Sequence, residues 1–370
     1  MIKIVDIVYH CHTALQSPAR VLEKHHPTLG FTEFIKDRVD YTVVRHLDYE
    51  GSEMINGIRY AFFRRPNAAW RIPLKTHRYI KSIDPDIVLV HGFVFPLQVM
   101  ALKMLLGRKC KIVLQHHAEQ PVRSMRRLLQ TIADRFTAIY LFSAHEIAMP
   151  WLADKVIKNA DKVRVLMAAS VPAGDKNKNC CKKQLGLEGC HNFLWVGRLN
   201  QNKDPLTVLR AFAQHVKRHP SARLYMVYQT ADLLLQVQHL MNEERLHNNV
   251  ILVGKLPHQE LADWYHAVDY FISASHAEAA GYALLEAMSA GCIPIVSRIP
   301  SYKKILENSP GYLFEPGNIA ELAQLLNSLP ERDDSKLSAE VKACFRYYLS
   351  FEKVASNMFD LFNQLYAEKR

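Results

Sequence analysis

The chain is short of three things, and each shortage narrows what it can be. No stretch reaches the roughly 18 or more consecutive apolar residues of a membrane-spanning helix. The longest apolar-rich run, DIVLVHGFVFPLQVMALKMLLG, is broken by His91, Pro96, Gln98 and Lys103. The N-terminal MIKIVDIVYH lacks the long apolar core and small-residue cleavage site of a secretory signal, and reads as a first buried strand. The expectation is a cytoplasmic protein, at most peripheral on the inner face of a membrane. Cysteine is the second shortage: seven residues, an odd number, scattered without a CxxC or Cys/His zinc spacing. That pattern predicts reduced thiols and neither a disulfide framework nor a metal site. Glycine and proline are the third, with 14 and 17 residues in 370, too few for a collagenous or broadly disordered chain.

What is present is an ordinary globular composition, 49% hydrophobic and 22% charged. At roughly 150 residues per domain the length allows two domains or more. The net charge of +11 is unevenly spread. Residues 1–170 hold 25 Lys+Arg and 15 Asp+Glu, whereas residues 171–370 hold 22 and 21. Such asymmetry points to an anionic partner for the first half. No zinc-finger, RNP or helix-turn-helix signature accompanies it, so nucleic acid is not the expected partner.

Strand-like and helical patterns alternate along the chain. IKIVDIVY, YTVVRHL, IRYAFF, DIVLVHG, KIVLQHH, AIYLFS and KVRVLM read as strands of the first half, with helical patterns near 68–83, 94–106, 121–135 and 144–159. FLWVG, RLYMVY, NVILVG, DYFISAS, CIPIVS and GYLF continue the habit in the second half. Continuous apolar strands separated by helices predict parallel sheets covered on both faces. The domains are expected at 1–170 and 193–348, joined by an aperiodic polar linker at 171–192. The amphipathic stretch 349–370 is expected to form a helix packing back on the N-terminal domain.

Two segments carry chemistry. In HAEAAGYALLEAMSAGCIPIVS a strand, a small-residue loop and a helix start build an anion site, where free backbone N–H groups and the helix dipole face a phosphate. Glu278 ends that loop, Gly281 opens the helix, and Glu286 follows on it with an acceptor for a sugar diol. In FLWVGRLNQNKD, Arg198 and Lys203 stand on the loop after a parallel strand, the edge of the sheet where open α/β folds bind ligands. Arg198 suits bidentate phosphate binding, and Lys203 acts as a point charge.

Taken together these segments resemble the donor site of glycosyltransferase family 4, a retaining group with the GT-B fold. The pieces that carry the resemblance are VGRLNQNKD, VGKLPHQELADWYHAVDYFISAS, EAAGYALLE, AMSAGCIPIVS and GYLFEPGN, in order from Phe193 to about Leu329. DPDIVLVHG, KIVLQHH and AIYLFSAHE carry a looser match in the first half. The resemblance implies two Rossmann-like doubly wound domains facing a central cleft. It implies that Arg198 and Lys203 hold the diphosphate of a nucleotide-sugar and Glu286 its ribose. Glu278 would lie beside the sugar, backbone N–H groups near Gly281 and Tyr282 would meet sugar and phosphate, and the base would stack near Gly254 and Leu256. It also implies that a histidine after the fourth parallel strand faces the donor sugar, with His117 preferred over His116. His117, Glu278, Arg198 and Lys203 are thus the catalytic candidates. The chain departs from the pattern in YHCHTALQSP and YQTADLLLQ, which lack glycine, and in VRVLMAASVP, which lacks an Asn-Gly turn.

The expected reaction is hexosyl transfer with retention, from a UDP-sugar or next a GDP-sugar to an envelope glycan or lipid-linked acceptor. Cations and a helix N-terminus stabilise the leaving diphosphate, so no metal cofactor is expected. Asp84-Pro85-Asp86 has metal-clamp spacing but opens a strand, the wrong end of a sheet. A GT-B-fold epimerase or a binding-only homologue would share the same fold. PVRSMRRLLQTIADRF places Val122, Met125, Leu128, Leu129 and Ile132 in an apolar stripe flanked by Arg123, Arg126, Arg127 and Arg135. Such a helix fits an anionic membrane surface or an ordinary core equally.

Overall fold

The computed structural model describes residues 1–11, 18, 29–64, 71–117, 119–121, 125–167, 169–187, 191–330 and 335–368. The chain divides into two compact units, Met1–Ala169 with Phe351–Arg370, and Ser170–Ser350. Most of the loop YHCHTALQSP, Val122 and Arg123 fall outside the described residues.

The first unit holds β1 (Ile2–Cys11), β2 (Val39–Leu47), β3 (Gly51–Ile55), β4 (Ile58–Arg64), β5 (Ile87–His91), β6 (Lys111–Gln115), β7 (Ile139–Phe142) and β8 (Val163–Val165). They form one sheet in the order β3-β4-β2-β1-β5-β6-β7-β8. All neighbours run parallel except the β3–β4 pair. β5 is buried at every position, as a strand covered on both faces must be. β3 was not anticipated. It is an edge strand closed onto β4 by Asn56-Gly57, both at positive φ (52° and 82°), the two-residue turn that matches the twist of a hairpin. The final helix, Phe351–Ala367, buries Val354, Met358, Phe362 and Leu365, and its Phe351 ring fills the space beside Gly30.

The second unit holds β9 (Asn192–Gly197), β10 (Arg223–Tyr228), β11 (Val250–Gly254), β12 (Tyr270–Ser273), β13 (Ile293–Ser297) and β14 (Tyr312–Phe314). Their order, β11-β10-β9-β12-β13-β14, is the 3-2-1-4-5-6 arrangement of a dinucleotide-binding fold, with every pair parallel. Asp204 caps the helix Pro205–Val216 by accepting from the Thr207 N–H (3.1 Å), and Pro205 takes the first turn, where no N–H is required. That helix buries Leu209 and Phe212 in the core shared with Phe193, Leu224 and Ile272.

Residues 171–192, expected as an aperiodic linker, contain a helix at Lys178–Leu185. Asn177 caps its start, Gly186 ends it in the left-handed region, and Lys178 and Lys182 pair with Asp269. Only Cys181 is buried on it, so there was no apolar stripe to announce it.

Candidate functional site

In the second unit the strand order reverses between β9 and β12. The loops leaving their carboxyl ends therefore diverge and leave a crevice there. Arg198 and Lys203 stand on the first loop and Glu278 on the second. Three contacts tie the loops together. Asn202 O accepts from the His276 N–H (2.8 Å), Asn202 Nδ2 donates to Ala277 O (3.0 Å), and His276 Nε2 lies 3.1 Å from Asp204 Oδ2. Within this frame Lys203 Nζ pairs with Glu278 Oε1, both largely screened from water. Arg198 is exposed, and among the described residues its guanidinium has no acid partner.

Gly281 then starts the helix Tyr282–Ala290 from the left-handed region at φ 64°. A Cβ at this position would lie 2.8 Å from the Tyr302 ring, so geometry and space both require glycine. Tyr282 is half-buried in the first turn.

Glu286 points into the fold with 8% of its side chain exposed. Ser170 Oγ donates to Oε1 (2.8 Å), Tyr265 Oη donates to Oε2 (3.2 Å), and His258 Nε2 lies 3.2 Å from Oε1. Burial and the carboxylate push the Tyr265 phenol well above its usual range, so it stays a donor. The hydrogen bond to Glu286 raises the pKa of His258. Gly254, at φ 83°, ends β11, and Leu256 is half-buried on the loop that follows, which leads into the helix His258–Ala267. That loop therefore reaches Glu286 through His258.

His117 lies in the first unit, after β6, which neighbours β5, the strand across the reversal point from β1. The ring is partly exposed, its Nε2 is 2.8 Å from His91 Nδ1, and its backbone N–H donates to Glu119 Oε2 (2.7 Å). The other oxygen of Glu119 accepts from the Phe93 N–H (3.1 Å). His116, the alternative, is buried against Phe142 and bonded to Glu119 O (2.8 Å).

The sequence names Arg198, Lys203, Gly254, Leu256, Glu278, Gly281, Tyr282, Glu286 and His117 as candidates. It does not single out the staple Asn202–His276–Asp204, the partners Ser170, His258 and Tyr265, or the pair His91 and Asp6 behind His117. Among the described residues no group of three or more His, Cys, Asp or Glu is placed to hold a metal ion.

Residues 181–343 match the family model described as glycosyl transferases group 1. Mannosylfructose-phosphate synthase of Agrobacterium fabrum is 28% identical over 133 residues, 34% of this chain and 29% of the relative. A GDP-mannose:cellobiosyl-diphosphopolyprenol alpha-mannosyltransferase of Xanthomonas campestris is 27% identical over 162 residues, 43% of each chain. The chain thus spans less than half the length of the curated relatives it matches. Over the whole chain the fold aligns with sucrose-phosphate synthase of Thermosynechococcus elongatus (TM-score 0.75, 15% identity, 100% of both chains). It also aligns with Anabaena Alr3699/HepE in complex with UDP and glucose (TM-score 0.73, 14% identity, 98% of this chain and 100% of that one). Two sheets of largely parallel strands and these neighbours make the fold GT-B, and residues 181–343 resemble the group 1 glycosyl transferases in sequence.

Proposed function

We propose that the protein is a retaining glycosyltransferase of hexosyltransferase type. It moves a sugar from a nucleotide-sugar to an envelope glycan or lipid-linked acceptor, without a divalent metal. The observation that carries this reading is the cation arrangement after β9. Lys203 is held by Glu278 on the stapled loops, while Arg198 is exposed and, among the described residues, has no acid partner, so its guanidinium is available for bidentate phosphate binding. As the glycosidic bond breaks, negative charge grows on the leaving diphosphate. Fixed cations and oriented N–H groups meet that charge without reorganising. Glu286, on the same helix, offers carboxylate oxygens to a ribose diol, and His117 offers an imidazole nitrogen to a sugar hydroxyl.

UDP is the favoured nucleotide, supported by the HepE complex with UDP-glucose. GDP comes next, supported by the name of the Xanthomonas relative. A lipid-linked acceptor is supported by that name and by the alpha-monoglucosyldiacylglycerol synthase of Streptococcus pneumoniae, 27% identical over 167 residues. Peripheral attachment to an anionic membrane belongs to the same reading. The helix Met125–Ala133 buries Gln130 and Ala133 but exposes Met125, Leu128 and Ile132 by 79%, 57% and 37%. Its apolar stripe faces outward beside the exposed Arg126.

A thermal-shift screen against UDP, GDP, ADP and their sugars tests the donor, followed by transfer assays in excess EDTA. A rise in Tm with UDP or a UDP-sugar and transfer that survives chelation are expected. No shift with any nucleotide, or transfer that needs added Mg²⁺, overturns the reading.

A further inference from the structure

The first sheet carries a second arrangement at its own reversal point. Asp6 sits inside β1, where a strand interior ordinarily holds only apolar side chains, and it is completely buried. Its Oδ1 accepts from Arg45 Nη1 (2.6 Å), and its Oδ2 accepts from Tyr41 Oη (2.9 Å). The same Oδ2 lies 2.9 Å from His91 Nε2. Burial opposes ionisation, but the Arg45 guanidinium and the hydrogen bond from His91 outweigh it and hold the Asp6 carboxyl well below the usual range. Asp6 is therefore a carboxylate with no proton to give, and the hydrogen between it and His91 belongs to His91 Nε2.

That assignment fixes the next one. When His91 carries one hydrogen, the one facing Asp6, its Nδ1 is a lone pair. It stands 2.8 Å from His117 Nε2, so the shared hydrogen must be on His117 Nε2. His117 Nδ1 is then the bare nitrogen, and among the described residues nothing hydrogen-bonds it.

The groups around His117 agree with a neutral ring. Desolvation, then the His91 and His116 imidazoles, lower its pKa, with Asp6 acting the other way and Arg45 adding to the depression. Glu119 holds the His117 backbone and the loop after β5 together. A Cβ on Gly92, at φ 89°, would lie 2.7 Å from the Glu119 carboxylate, so the clamp requires that glycine. The cluster is not arranged for stability alone, because Arg45 Nε and Nη2 are buried without a hydrogen-bond partner among the described residues.

We propose that Asp6 and His91 are positioning residues that lock His117 in the Nε2–H tautomer, so that its Nδ1 is presented as an unprotonated acceptor to a hydroxyl of the sugar substrate. The identity of the ligand rests on the glycosyl-transfer reading, whereas the tautomer does not.

Long-range ¹H–¹⁵N imidazole correlation spectra of the full chain test it, with His117→Ala assigning the resonances. In the wild type near neutral pH, His117 Nδ1 is expected at the unprotonated shift and Nε2 at the protonated one. In Asp6→Asn the carboxamide can donate to His91 Nε2, which moves the His91 hydrogen to Nδ1 and reverses His117, now protonated at Nδ1. Transfer should fall on the order of 10- to 100-fold, as when a residue that orients a reactive imidazole is lost. His91→Leu should release the tautomer and lose similar activity. His91→Gln, whose amide can donate to Asp6 and accept from His117, should restore both. Since Asp6→Asn also strips Arg45 of its counter-charge, the two His91 variants keep the test alive if that variant does not fold. An unchanged His117 tautomer in folded His91→Leu overturns the proposal. A tautomer that reverses in a protein transferring no sugar upholds the positioning and overturns the function proposed above.

Discussion

At the scale of single residues, Arg198 and Lys203 leave the same loop but are held differently. Lys203 is neutralised by Glu278, so in the proposed site the net positive charge comes from Arg198. Glu286 has the opposite character, a buried acceptor already oriented by Ser170, Tyr265 and His258. Arg198→Ala and Glu286→Ala are each expected to weaken UDP binding roughly ten- to a hundredfold, about 1.5–3 kcal/mol for a lost charge-assisted contact. Calorimetric titration measures this, and unchanged affinity in both variants would remove the donor assignment. The His258–Glu286 pair has its own pH signature. A histidine whose pKa is raised on folding contributes stability that is whole below its unfolded value of 6.5 and is lost as pH climbs through the raised value. With 59% of the His258 side chain exposed, water screens the pair and the effect is small. The Tm gap between wild type and His258→Gln should thus be widest below the unfolded value and narrow as pH rises through the raised one; a gap constant with pH contradicts it. His117 was legible through a short histidine-bearing segment after a strand. Asp6 was not, because its partners Arg45 and His91 lie 39 and 85 residues away, and nothing local signals that pairing.

The elements show where local chemistry speaks and where it is silent. Capping at Asp204-Pro205 was readable, because the N-cap and the first-turn proline act within a few residues. The Asn56-Gly57 hairpin was equally local and was passed over, since its edge strand buries only alternate positions partially. The helix at Lys178–Leu185 is held by ion pairs to Asp269, a residue contributed by a distant segment, so no periodic pattern could reveal it. The helix Tyr282–Ala290 depends on its first residue outside. Gly281→Ala combines a left-handed backbone with a close approach to Tyr302, and should cost about 1–3 kcal/mol. Urea unfolding would register this as a lower midpoint at unchanged slope. Wild-type stability in that variant would mean that the loop does not need its present conformation.

For the molecule as a whole, the uneven charge and the outward apolar stripe on Met125–Ala133 belong to the same unit. Each basic residue near an anionic surface is worth about 1 kcal/mol, screened within a Debye length of roughly 8–10 Å. Co-sedimentation with vesicles should rise with phosphatidylglycerol content, fall with salt, and weaken in Arg126→Gln/Leu128→Gln without loss of nucleotide binding. Indifference of the wild type to anionic vesicles at low salt would leave the basic half to a soluble anionic acceptor. The chain path adds a constraint of a different kind. The second unit is one continuous stretch, whereas the first is completed only by Phe351–Arg370. Until the ribosome has made that last helix, the turn at Gly30–Phe34 lacks the Phe351 ring that covers it. The segment translated second can reach its native state before the segment translated first, which stays incompletely covered until Phe351–Ala367 has been made.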